Sequence, residues 1–236
     1  MCENDYKVEI LDQNMSDFEL SFKIIIIGDS GVGKSCLTLR GTKNIFDAIY
    51  APTIGFEFVS YFLKINGQIV KLQIWDTCGQ EVYRSLISSF YNNSSLAIMV
   101  YSIDNGQSFT NLEFWLNELR TKASPDINLF LIGNKCDLEE KRQVTKDSGQ
   151  EFCDNNRIKL FLETSAKTGL NAQNIFIEAG KLLYEQHLKN KEKLSESQSF
   201  AQTASRERNP AFPLNDMYED DKNNRKKGVV NLKYKI

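Results

Sequence analysis

The chain has 236 residues, 41% of them hydrophobic and 25% charged, with a formal net charge of −2 at pH 7; this is the profile of a soluble globular protein with one sizeable core and room for extensions. Near-neutral charge gives no whole-chain footprint for nucleic acid, and no apolar run approaches the roughly 18 residues of a membrane span. Five cysteines without metal-ligand spacing and a single histidine argue against a disulfide framework or a zinc site, and reduced thiols fit a cytoplasmic location.

Residues 1–20 form a polar, acidic extension, the reverse of a secretory signal, with Glu3, Asp5, Glu9, Asp12, Asp17 and Glu19 against Lys7. Within it 7–11 has strand character, but nothing in the sequence fixes it. From there short apolar runs at 22–27, 56–65, 69–75, 96–101, 129–132 and 160–162 alternate with helical spacing at 33–40, 108–123, 145–155 and 171–189. Dense Ile, Val and Leu runs suit strands buried on both faces of a parallel sheet, whereas 56–65 and 69–75, joined through Asn66-Gly67, read as a hairpin. The expected fold is therefore α/β: a mostly parallel six-stranded sheet with one antiparallel edge strand and helices on both faces. The folded domain is expected over 21–190. From 191 to 236 the composition turns to Ser, Gln, Asn, Lys and Glu, with Pro210 and Pro213, and is read as a disordered tail with a basic end. His187 is read as a solvated residue of the last helix.

Gly28-Asp29-Ser30-Gly31-Val32-Gly33-Lys34-Ser35 fits G-x-x-x-x-G-K-[ST], after a buried strand and before a helical segment, which is the context that pattern needs. Glycines let successive N–H groups point inward, the helix N-terminus adds partial positive charge and Lys34 a full one, so the loop is a cradle for linked phosphates. Ser35 offers a hydroxyl to Mg²⁺. A dinucleotide-binding turn is disfavoured, because "GDSGVG" lacks the G-x-G-x-x-G spacing.

The base is addressed further on, in "IGNKCDL". A carboxylate at Asp137 accepts from both N1–H and the 2-amino group of guanine, donors that adenine does not offer there. Lys135 can lay its stem along the base and Asn134 can brace the loop. A third segment, "ETSAK", residues 163–167, again follows a strand, and its backbone N–H groups could meet the guanine 6-oxo group.

With "GDSGVGKSC", "APTIGFEF", "KLQIWDTCGQEVYRS", "GNKCDL" and "ETSAKT" in this order, the chain resembles a small GTPase of the Ras superfamily and is most similar to the Rab family, over about residues 22–189. The resemblance implies a P-loop NTPase fold of the small G domain type, a GTP/GDP ligand with Mg²⁺, and a molecular switch in vesicle trafficking. It assigns the phosphates to Asp29, Ser30, Gly31, Val32, Gly33, Lys34, Ser35, Cys36, Thr53 and Gly79. Guanine goes to Phe46, Asn134, Lys135, Asp137, Ser165, Ala166 and Lys167, and Mg²⁺ to Ser35, Thr53 and, through water, Asp76. Gln80 is implied to position the attacking water, and 50–54 and 78–86 to order with GTP and loosen with GDP. Phe58, Trp75 and Tyr91 are implied to form an exposed aromatic cluster read by effectors. No arginine is placed by motif to neutralise the γ-phosphate, so slow turnover is expected, on the order of 10⁻⁴ to 10⁻² s⁻¹ by analogy with Ras and Gα proteins. A monomer served by an exchange factor, an activating protein and effectors follows.

Two departures stand out. Cys78 occupies a position where the family usually has alanine; Cys36 and Cys136 match common choices and are read as small buried residues. Rab proteins normally end in prenylated cysteines, and here the last cysteine is Cys153, so no prenyl anchor is expected as the sequence is written. Six basic residues and no acid between Lys222 and Lys235 offer salt-sensitive contact with an anionic endomembrane surface at about 1 kcal/mol per well-placed charge. The alternative reading is a nucleotide-loaded interaction module acting in solution, with vestigial hydrolysis.

Overall fold

The computed structural model describes residues 6–13, 15–48, 53, 55–79 and 90–207, with side chains through 195. The chain divides into two units, 1–191 and 192–236. In the first, β1 (Val8–Ile10), β2 (Leu20–Ile27), α1 (Lys34–Lys43), β3 (Phe56–Ile65), β4 (Gln68–Thr77) and β5 (Leu96–Ser102) lead to two short helices, α2 (Gly106–Thr110) and α3 (Leu112–Lys122). β6 (Asn128–Asn134), a 3₁₀ turn (Cys136–Lys141), α4 (Lys146–Asn156), β7 (Leu160–Glu163) and α5 (Asn174–Glu207) follow. The described part of the second unit is the end of α5.

The sheet has seven strands in the order β1-β3-β4-β2-β5-β6-β7, one more than expected. β1 pairs antiparallel with β3, Val8 opposite Ile65 and Ile10 opposite Leu63, so β3 runs against the other strands and β1 lies outside it at the margin. Asn66 and Gly67 join β3 to β4 with φ of 48° and 91°, the positive pair that a two-residue turn of matching twist requires. That turn also fixes β1: Lys7 N donates to Asn66 Oδ1 at 3.1 Å and Asn66 N to Lys7 O at 3.0 Å. The pairs β2–β4, β2–β5, β5–β6 and β6–β7 are parallel.

The four isoleucines of β2 show why the sheet is covered on both sides. Side chains alternate across a strand. Ile24 and Ile26 enter one apolar layer with Leu37 of α1 and Phe176 and Ala179 of α5, while Ile25 and Ile27 enter the other with Trp115 and Leu119 of α3 and Cys153 of α4. All four are 0–1% exposed, and truncating one to alanine is expected to cost about 2–5 kcal/mol.

Other boundaries differ for local reasons. The helix expected over 108–123 is two helices, the first started by Asn105, whose Oδ1 accepts from Ser108 N at 3.2 Å. α5 runs past residue 189 to Glu207, because 181–209 holds no Gly or Pro, and Lys189 pairs with Glu185 one turn back at 2.6 Å. His187 is half-buried, its ring edge-on to Phe22 at 6.4 Å, rather than solvated. The basic end of the tail lies outside the described residues.

Loops after β2, β4, β5, β6 and β7 gather at the carboxyl ends of the parallel strands. The chain leaves β2 toward β3 and leaves β5 toward β6, so the crevice between β2 and β5 is the point where connections diverge, the usual ligand position in an open α/β sheet.

Candidate functional site

The loop 28–33 leaves β2 at that crevice and opens α1. Gly28, Gly31 and Gly33 have φ of 139°, 78° and 93°, and a Cβ on Gly28 would stand 2.1 Å from Val100 O of β5. Only glycine lets this turn pass so close to the neighbouring strand. Lys34 is 5% exposed; its Nζ donates to Gly28 O at 2.9 Å and Asp29 O at 2.8 Å. Burial lowers its pKa from the ordinary lysine value, against the opposing pull of Asp76 and Asp29. A positive charge is thus folded into the mouth of the loop.

Beside it, Ser35 Oγ and Thr53 Oγ1 share a hydrogen bond of 2.7 Å. Asp76, at the end of β4, is 1% exposed and neither carboxylate oxygen has a hydrogen-bond partner. Burial raises its pKa from 3.8 to about 6, with the Ser35 hydroxyl and Lys34 pulling it back down. An unpartnered buried carboxylate beside two hydroxyls fits a hard divalent cation, which takes oxygen ligands and repays the burial. Gly79 closes the same corner: a Cβ there would lie 2.4 Å from Asp29 C and Ser30 N.

At the other end, Asn134 is 1% exposed and joins three loops. Its Nδ2 donates to Val32 O at 2.9 Å, and its Oδ1 accepts from Thr164 Oγ1 at 3.2 Å and Ala166 N at 3.3 Å. Asp137 Oδ1 accepts from Ser165 Oγ at 2.5 Å, and Ser165 Oγ in turn accepts from Thr168 N at 3.0 Å. Lys135 takes a left-handed conformation, φ 63°, between the strand end and the 3₁₀ turn. A cavity of about 260 Å³ runs between these groups and the glycine loop, its walls including Gly31, Gly33, Phe46, Lys135, Asp137 and Lys167.

The structure thus brings the sequence-derived phosphate and base residues onto one crevice. Gln80 lies outside the described residues, as do 49–52 and 54. Cys36 and Cys136 are half-buried rather than buried, because Cys36 stands in the cavity wall and Cys136 opens the exposed 3₁₀ turn. Cys78 is buried at 2% exposure and its N donates to Gly55 O at 2.9 Å.

The aromatic cluster needs a correction. Tyr91 is 1% exposed and packs in the layer of Trp115, so it is not a surface residue. Its neighbour Phe90 takes the outward place, with ring centroids 5.3 Å from Trp75 and 4.5 Å from Phe56. Phe58, 47% exposed, lies 5.0 Å from Trp75 on the other side. Consecutive residues of a helical turn point about 100° apart, so a slip of one exchanges surface for core.

Sequence reading also missed three supports. Arg40 donates from Nε to Ala166 O at 2.8 Å and from Nη2 to Lys167 O at 2.9 Å, with its guanidinium 5.7 Å from the Phe46 ring. Arg142 grips Glu163 at 2.6 and 3.0 Å and Glu139 at 2.7 Å, tying the two base-side loops together. Asp29 accepts from Asn111 and Trp115 of the α3 region. A basic residue amid an amphipathic helix is the only hint of Arg40 that the sequence carries; the other two join distant segments.

No described helix is long and apolar enough to cross a membrane. A family model described as the Ras family matches residues 23–185. With that match spanning more than half of the chain and a small G domain fold beneath it, the protein belongs to the Ras family of GTP-binding switch proteins.

Proposed function

We propose that the protein is a GTP-hydrolysing, Rab-like switch regulating intracellular vesicle trafficking. The observation that carries the nucleotide reading is that Asp137 opens onto the same cavity as Gly31 and Gly33 of the phosphate loop, so one ligand with a guanine at one end and phosphates at the other can engage both. A site built to hydrogen-bond a particular donor typically rejects an analogue lacking it by about 10⁴- to 10⁵-fold. Ser165 orients the Asp137 carboxylate, Asn134 fixes the loop, and Phe46 and the Lys135 stem flank the base.

On the phosphate side, the N–H groups of 29–36 and Gly79 together with Lys34 bind the anion, holding it where charge develops in the transition state. Ser35 and Thr53 would hold Mg²⁺ directly and Asp76 through water. When bound, that ion supplies positive charge against the phosphate oxygens. Gln80 orients the attacking water, and an activating protein supplies the missing cation. Support for the trafficking role is the aromatic cluster in which the exposed Phe56 and Phe58 meet the half-buried Trp75 and Phe90, a surface of the kind that partner proteins read.

Single-turnover hydrolysis of bound GTP by the wild type and Gln80→Leu tests the catalytic reading. Measurable cleavage in the wild type and its loss in the variant is expected; equal rates remove Gln80 from the mechanism. The buried thiol of Cys78, next to Gly79, favours the second reading, a nucleotide-loaded interaction module with vestigial hydrolysis. Faster cleavage by Cys78→Ala would support that reading, and an unchanged rate makes the thiol incidental.

A further inference from the structure

A full carboxylate inside an anion-binding loop is electrostatically adverse, since Asp29 stands at the start of the run of N–H groups that face phosphate. The structure shows where that charge goes. Asp29 Oδ2 accepts from Asn111 Nδ2 at 2.6 Å and Oδ1 from Trp115 Nε1 at 2.9 Å, so both oxygens are taken up by donors one helical turn apart on the α3 side. Trp115 is 1% exposed and packed in the second apolar layer with Ile25, Ile27 and Leu119. Its indole is therefore a fixed post. The backbone of Asp29 is held from two further directions: its carbonyl accepts from Lys34 Nζ at 2.8 Å, and Gly79 lies so close to the Asp29–Ser30 peptide that a Cβ on it would stand 2.4 Å away.

We propose that Asp29 is a positioning residue of the phosphate loop, whose carboxylate, anchored by Asn111 and Trp115, sets the height and tilt of the Asp29–Ser30 peptide against the nucleotide phosphates and Gly79. The inference rests on the guanine-nucleotide reading of the site. It makes α3 the mechanical support of the cradle. Charge and anchor predict opposite signs: deleting a negative charge alone strengthens anion binding, whereas releasing the loop weakens it. The anchor also predicts that Trp115 acts through Asp29, so removing both costs no more than removing Asp29 alone.

The test compares wild type with Asp29→Ala, Asp29→Asn, Trp115→Phe and the Asp29→Ala/Trp115→Phe pair. It reads mant-GDP dissociation and the β-phosphorus resonance of bound GDP, which a loss of general stability leaves in place. Dissociation is expected to speed up at least about tenfold in Asp29→Ala, which loses two charge-assisted hydrogen bonds, with a displaced β-phosphorus signal. Trp115→Phe, which leaves the Asn111 contact, should show part of this acceleration, the double variant should go no further than Asp29→Ala, and Asp29→Asn, which keeps one acceptor, should recover part of the loss. Unchanged or slower dissociation in Asp29→Ala, or additive effects in the pair, overturns the anchor. Wild type that takes up no mant-GDP overturns the guanine-nucleotide reading and the anchor with it; wild type that binds while all variants behave like it overturns the anchor alone.

Discussion

The two ends of the crevice are built on opposite terms. At the base end polar side chains are satisfied by the protein itself: Asn134 makes three hydrogen bonds, Asp137 is held by Ser165, and Arg142 bridges Glu139 and Glu163. At the phosphate end Asp76 is buried with no partner for either oxygen, and Lys34 is folded onto two carbonyls. On the proposed reading, the difference separates selection from grip. A rigid, preorganised carboxylate discriminates between bases because it cannot relax around the wrong one. Buried charge of both signs is costly on its own, and a polyanion with a divalent cation balances it.

The sharpest way to break this contrast is at the base end. Asp137→Asn is expected to lower the preference for GDP over ADP by at least about 10³-fold, measured by competition against mant-GDP, while leaving Mg²⁺ dependence in place. A variant that keeps its preference would show that selection lies elsewhere.

At the phosphate end the expected signature is a trade between stability and function. Asp76 has a pKa of about 6 in the fold against an ordinary 3.8, so the folded state holds that proton more tightly than the unfolded chain. In EDTA and without nucleotide, stability should be highest below pH 4 as far as this group is concerned, and should fall as pH rises from about 4 to about 6. Above that the buried charge costs about 2–3 kcal/mol. Asp76→Asn should flatten that part of the curve and raise the melting temperature of the metal-free protein at pH 7. It should also abolish the gain in GDP affinity that Mg²⁺ brings. Melting curves and mant-GDP titrations at pH 4–8 check both halves.

Arg142→Ala should act more weakly, because it loosens the support of the base-side loops without touching the ligand. A rise in GDP dissociation of about fivefold is expected, on the scale of one ion-pair contact, with Glu163→Ala giving the same rise and the double variant no more. Smallest of all is Phe58→Ala: nucleotide dissociation should stay within about twofold, since the ring lies on the exposed sheet margin.

Features written in local pattern were legible from sequence. The four isoleucines gave a strand buried on both faces, Asn66-Gly67 a hairpin, and the spacing of Gly28, Gly33, Lys34 and Ser35 a phosphate loop. Residues whose role depends on distant segments were not. β1 is three residues long; the composition of 7–11 hints at a strand, but what fixes it is the Asn66 turn that holds Lys7 from 59 positions away. Asp29 and Trp115 are 86 positions apart, and neither residue type suggests the other. Tyr91 and Phe90 are both aromatic, and only the packing of the turn tells which one faces outward.

The central claim is that one carboxylate reads guanine while a neighbouring loop grips phosphate. Equilibrium competition of unlabelled GDP and ADP against mant-GDP on the wild-type protein with Mg²⁺ tests it most directly. GDP displacing the label at concentrations at least about 10³-fold below ADP is the predicted result; comparable displacement by the two would contradict it.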